Sequence, residues 1–80
     1  MTISISQIRA ARGLLGWSQV ALAKAANVSE PTIKRIEGGK VSVSDDMRAA
    51  IRAALEAAGV QFIDANGGGP GVRLSKPGEG

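Results

Sequence analysis

The stretch Trp17 to Gly39, WSQVALAKAANVSEPTIKRIEGG, leaves this chain few ways to fold. Ser18 and Ser29 are preferred N-cap residues, whose side-chain oxygens satisfy amides left unpaired at a helix start. Each is bracketed by apolar residues at staple spacing, Trp17 with Leu22 and Val28 with Ile33, which fixes the angle of entry into a helix. The pattern predicts two short helices, over 19–26 and 30–37, joined by a tight turn. Asn27 lies between them and is one of the few non-glycine residues that tolerate positive φ. Gly38-Gly39 closes the second helix through the left-handed conformation. Two helices crossing steeply over such a turn need a small residue at closest approach, and Ala23 supplies it.

The flanking segments repeat the same logic. Ser4 with Gln7 forms a capping box, Ile3 and Ile8 bracket it, and a helix over 5–15 follows. Ile8, Ala11, Leu14 and Leu15 fall on one face, with Arg9 and Arg12 beside it and Gly16 at the exit. This helix reads as scaffold. Lys40 to Val43 is a connecting loop. Ser44 caps a last helix over 45–58, with Asp45 and Asp46 where the helix dipole favours negative charge. Its apolar stripe is Met47, Ile51, Leu55 and Ala58, and Ala49, Ala50, Ala53, Ala54 and Ala57 make a flank that another surface can approach closely. Arg48 and Arg52 read as a solvated face. Gly59 followed by apolar Val60 suits a Schellman-type end.

Beyond residue 59 the character changes. Val60 to Ile63 and Val72 to Leu74 are β-prone runs separated by the turn chemistry of Asn66 to Gly71. They predict a hairpin with a glycine-rich loop. An isolated hairpin is marginal in water, so this one is expected to lean on the last helix or pair with a second copy of itself. Residues 75–80 read as frayed. The division expected is 1–59 and 60–80, the second part serving as a dimerisation element.

Composition narrows the function. Eighty residues make one small domain with a limited core, which a partner chain would make more robust. Trp17 and Phe62 are the only aromatics, too few for a platform that stacks single-stranded bases. Ten basic against seven acidic residues give +3, an excess that permits nucleic-acid binding without establishing it. The absence of cysteine removes disulfides, thiolate nucleophiles and zinc fingers, and the absence of histidine removes the commonest general base and metal ligand. No apolar run approaches the roughly 18 residues of a membrane span. Nor does the N-terminus have the basic start and apolar core of a secretion signal. The expectation is a cytoplasmic, non-enzymatic protein with no membrane partner, no cofactor and no metal. The glycine cluster lacks the lysine and serine/threonine of a phosphate loop, and no helix follows it. Asp45 and Asp46 diverge by about 100° on a helix and read as helix-start charge rather than a catalytic pair.

An ordered set of residues carries a family resemblance: Gln19 opening a helix, Leu22-Ala23 within it, Val28 after the turn, Ile33 and Ile36 at core spacing, then Glu37-Gly38-Gly39-Lys40. Over roughly residues 4–58 the chain resembles the helix-turn-helix of the phage repressor and Cro (XRE-like) DNA-binding regulators. Asn27 departs from the pattern, since many relatives have glycine there, and is expected to strain the turn slightly. The resemblance implies a mainly α fold, a compact four-helix repressor-like domain, here followed by a short C-terminal β-hairpin.

It also implies that the 30–37 helix enters the major groove of double-stranded DNA. With Ile33 and Ile36 inward, Glu30, Pro31, Lys34 and Arg35 face away from the core. Arg35 suits guanine or else a phosphate, and Glu30 suits either a cytosine amino group or merely a helix start. Pro31 either touches a thymine methyl or stiffens the first turn. Ser29 and Thr32 reach phosphate or base, and Lys34 and Lys40 are phosphate contacts. Gln19 resembles the family's backbone-clamping glutamine. Arg12, by the same resemblance, pairs with Glu37. Relatives bind as twofold dimers on inverted repeats, so a homodimer held by the alanine-rich helix, the tail strands or both is implied. The function implied is a transcriptional regulator, specifically a repressor. The alternative keeps the fold for binding a regulatory protein partner, as an antitoxin or anti-activator module would.

Overall fold

A computed structural model describes residues 2–65 and 67–75. Four helices come first, α1 (Ile5–Leu15), α2 (Gln19–Ala26), α3 (Glu30–Glu37) and α4 (Asp45–Ala57). An antiparallel hairpin follows, β1 (Val60–Ile63) with β2 (Gly71–Leu74), in the register Val60 to Leu74 and Phe62 to Val72. The architecture is therefore the mainly α, four-helix domain with a C-terminal hairpin expected from sequence. Among the described residues no helix is long and apolar enough to cross a membrane.

The first three helices begin and end by the same local chemistry. Ser4, Ser18 and Ser29 each accept a hydrogen bond from the backbone amide three residues on. At the other end, Gly16, Asn27 and Gly39 take left-handed φ values of 67°, 59° and 70°. The following amides then reach back five residues: Trp17 to the Arg12 carbonyl at 3.0 Å, Val28 to Ala23 at 2.9 Å and Lys40 to Arg35 at 3.1 Å. This is the Schellman closure. Trp17 and Val28 thus each finish one helix and staple the next. Asn27 sits in an ordinary left-handed well (φ 59°, ψ 44°), so the turn carries no distortion beyond the intrinsic cost of that region. Gly38 stays right-handed, and Gly39 makes the reversal.

These turns wrap the helices around one core. Ile8, Leu22, Ile33, Ile51 and Leu55 are fully buried, with Ala11 and Ala23 filling the close approaches. Burying each large aliphatic contributes about 1.5–3 kcal/mol. The hairpin belongs to this core, since Val60 and Phe62 are buried in it. Gln7 is a buried polar residue at the edge of this core. Its Oε1 accepts from the Ser4 amide to complete the capping box, and its Nε2 donates to the carbonyls of Ile63 (3.2 Å) and Gly71 (3.0 Å). One amide therefore ties the start of α1 to the loop end of both strands.

Several expectations need correction. Leu14 is 44% exposed. On a 100° helical step it lies outside the arc of Ile8, Ala11 and Leu15. The hairpin covers that flank at Gln7, near the helix start, and leaves Leu14 open seven residues later. Arg48 and Arg52 do not form a free solvated face. Arg48 donates to the Ile3 carbonyl and anchors the N-terminal segment on α4. Arg52 pairs with Glu56 at 3.0 Å and lies 5.8 Å from the centre of the Phe62 ring, in cation–π range. The last helix ends at Ala57, and Gly59 at φ 106° turns the chain directly into β1. Ser75, expected to fray, donates to the Gly59 carbonyl from both its amide (2.7 Å) and its hydroxyl (3.0 Å). Asn66 of the expected turn, and residues 76–80 of the expected frayed end, lie outside the described residues.

Candidate nucleic-acid interface

The outer side of α3 is uncovered. Ser29, Pro31, Lys34, Arg35 and Lys40 are exposed, and Glu30 and Thr32 are half-buried. Ile33 (0% exposed) and Ile36 (2%) point into the core. Periodicity alone dictates this division, because apolar side chains three apart must share the buried stripe and polar residues take the remainder. The helix is short, but its start is well defined. Ser29 Oγ accepts from the Thr32 amide and lies 2.7 Å from Thr32 Oγ1, so two hydroxyls meet at the N-terminal edge. Pro31 occupies the first turn, where its missing N–H costs nothing.

Charge on this face is mixed. Lys34 Nζ lies 3.2 Å from Glu30 Oε2, one helical turn away, with the Lys34 side chain 60% exposed and that of Glu30 40% exposed. A pair of this kind contributes about 0.3–0.5 kcal/mol and yields readily to a better partner. Arg35 and Lys40 make no ion pair among the described residues. On this face they are the cations left open to an anionic ligand.

The far end of α3 is held by a buried cluster. Arg12 Nε donates to Glu37 Oε2 at 2.8 Å and Arg12 Nη2 to Glu37 Oε1 at 2.7 Å, and Nη1 donates to the Trp17 carbonyl at 3.0 Å. The Glu37 side chain is only 5% exposed. Burial alone pushes its carboxyl pKa up. The hydrogen bonds from Arg12 and Gln19, with the charges of Arg12 and Arg9, more than offset this and hold the carboxyl below its usual range. The Arg12 guanidinium is raised, chiefly by its hydrogen bond to Glu37, against the opposing effect of burial. Both shifts describe one charge-assisted fork joining α1 to α3. The pairing of Arg12 with Glu37 implied by resemblance is thus present.

Gln19 enters the same cluster, its Nε2 donating to Glu37 Oε1 at 3.1 Å. Sequence reasoning placed Gln19 at the interface but missed this bond, since nothing in the spacing of positions 19 and 37 announces it. One of its two amide N–H groups is thereby spent, and the side chain is fixed at the start of α2. The structure accordingly brings Ser29, Glu30, Pro31, Thr32, Lys34 and Arg35 onto α3 or its cap. Lys40 lies just past the Schellman turn, and Gln19 beside Glu37.

A family model described as a helix-turn-helix domain matches residues 6–63. The match continues through β1, so it includes the strand that carries Val60 and Phe62. Comparison with curated proteins found no match.

Proposed function

The chain belongs to the helix-turn-helix domain family, and from that premise we propose that it is a sequence-specific regulator that reads the major groove of double-stranded DNA with α3. The observation that carries this reading is the exposed polar side of α3, capped at Ser29 and propped by the Arg12–Glu37 fork. Phosphate contacts from Lys34, Lys40, Ser29 and Thr32 position the domain, and Gln19 adds one from the start of α2. Arg35 reads guanine, with Glu30 and Pro31 on the same face tuning the neighbouring base pairs. The direction of control proposed is repression, by occupancy of the operator. No catalytic role, cofactor or metal enters this reading.

One such module makes few contacts, and we propose that it acts as a homodimer on an inverted repeat. Two surfaces compete for the dimer contact. The Ser75-to-Gly59 bond sets the parity of the hairpin ladder, so the outward amides of β2 are those of Val72 and Leu74. The register that bonds both of them to a second copy centres Arg73 on its own counterpart, a like-charge opposition. The exposed flank Ala49, Ala50, Ala53 and Ala57 of α4 has no such conflict and admits close helix packing. We therefore favour α4. Removing 60–80 is no test of this, because Val60 and Phe62 are core residues. Ala53→Arg is the better probe, and a variant that stays dimeric would exclude the α4 flank.

A second reading makes the same surface a docking site for a regulatory protein partner. The Glu30–Lys34 pair favours it to the extent that the face is not uniformly basic. The discriminating experiment is binding to one defined duplex across a salt series. Tight, sequence-dependent binding that Arg35→Ala relaxes supports regulation, and weak, sequence-blind binding supports the protein partner.

A further inference from the structure

We propose that Arg9 on α1 is a further phosphate-binding residue, so that the DNA backbone is gripped by the scaffold helix as well as by α2 and α3. The proposal rests on the DNA-reading function argued above.

Arg9 and Arg12 stand three positions apart and share a side of α1, about 4.5 Å apart along its axis. Arg12 reaches from that side to Glu37 at the C-terminal end of α3. Arg9 is thus displaced toward the start of α1 on the side that meets the reading helix. Its positive charge acts in the same direction as that of Arg12 in holding the Glu37 carboxyl low. Yet Glu37 takes its hydrogen bonds from Arg12 and Gln19, and Arg9 forms no hydrogen bond or ion pair among the described residues. The residue is exposed.

The surroundings suit a backbone ribbon. Arg9 lies in an open groove lined by Ser6, Ala10, Arg12 and Gly13. Apart from Arg12, whose head is turned to Glu37, these are small residues that let a phosphate come close. The planar fork of arginine matches two phosphate oxygens and loses little entropy in doing so. Because α1 does not lie on the reading face, the contact would position the domain and would carry no base preference. The competing role is a second counterion for Glu37, which would make Arg9 purely structural.

The test uses the full chain, a duplex recovered by selection from a random pool and a scrambled duplex of equal length. Arg9→Gln is expected to unfold as the wild type does and to lose roughly three- to tenfold in affinity on both duplexes alike. Its slope of log affinity against log salt becomes shallower by about 0.9 per protomer, and Arg9→Lys restores the slope. A wild-type slope in Arg9→Gln would overturn the assignment. So would a loss of affinity that merely tracks a loss of stability. If the wild-type protein itself shows no salt-dependent duplex binding, the DNA reading falls and Arg9 with it. Wild-type binding left untouched by Arg9→Gln removes Arg9 alone.

Discussion

Arg12 on α1 grips Glu37 at the end of α3 through both carboxylate oxygens, at 2.7 and 2.8 Å, across 25 positions of sequence. This contact fixes the end of a short helix with an exposed polar face against α1, and so sets the tilt that the proposed DNA reading requires. Removing Arg12 leaves the buried Glu37 carboxylate without its counterion and with the Gln19 amide as its remaining side-chain donor. Arg12→Ala is expected to cost about 2 kcal/mol, between the 0–1 of an exposed pair and the 3–5 of a fully buried one. Urea unfolding measures it. Loss of DNA affinity should follow the loss of stability; a variant of full stability that lost only affinity would assign Arg12 to phosphate instead.

The same carboxylate sets an acid limit. Glu37 has a folded pKa below its unfolded value of about 4.3, so its contribution to stability is complete above that value. It is lost as pH falls through the lower folded pKa. Unfolding followed from pH 7 to pH 3 should therefore show wild type and Glu37→Gln converging in acid, with the wild type ahead above about pH 5. Parallel curves would mean that Glu37 is not held below its usual range.

Gln7 is the tether of the hairpin. Gln7→Ala leaves the carbonyls of Ile63 and Gly71 without that donor and removes the capping box, at a cost of about 1–3 kcal/mol. Hydrogen exchange should speed up most at the Gln61 and Arg73 amides, which bond across the hairpin, and least in α2 and α3. Uniform acceleration along the chain would contradict a local tether.

On the reading face, Arg35→Ala and Lys40→Ala should fail differently. Arg35→Ala is expected to cost about 1–3 kcal/mol on the preferred duplex and to flatten discrimination at one base position. Lys40→Ala should weaken all duplexes alike and reduce the salt slope by about one. Competition binding with single-position duplex variants separates the two outcomes.

Asn27 tests the turn. Asn27→Ala should cost about 1 kcal/mol in thermal unfolding, because the left-handed region is costly for an alanine and asparagine is among the few non-glycine residues that enter it readily, while Asn27→Gly should stay close to wild type. Equal losses for both would mean that the Asn27 side chain does more than permit its φ.

The helices were legible because their signals are local. Ser4, Ser18, Ser29 and Ser44 cap within three residues, and the staples act within five, so no distant contact was needed to place four helices. The exposed side of α3 followed from the spacing of Ile33 and Ile36. What stayed hidden was non-local. Gln7 looked like a capping residue alone, and its second role depends on strands more than fifty positions away. Arg48 and Arg52 looked solvated because nothing local shows that the Ile3 carbonyl and the Phe62 ring come to meet them. The burial of Val60 and Phe62 also had to come from tertiary packing, since β-propensity cannot say which surface a strand covers.

Selection of bound duplexes from a random pool, run in parallel with the wild type and Arg35→Ala, tests the central claim most directly. An outward α3 that reads the major groove predicts a wild-type consensus of two inverted half-sites about one helical turn apart. Symmetric positions of that consensus should become degenerate in the variant. A pool that yields no consensus with the wild type, or the same consensus with both proteins, would contradict it.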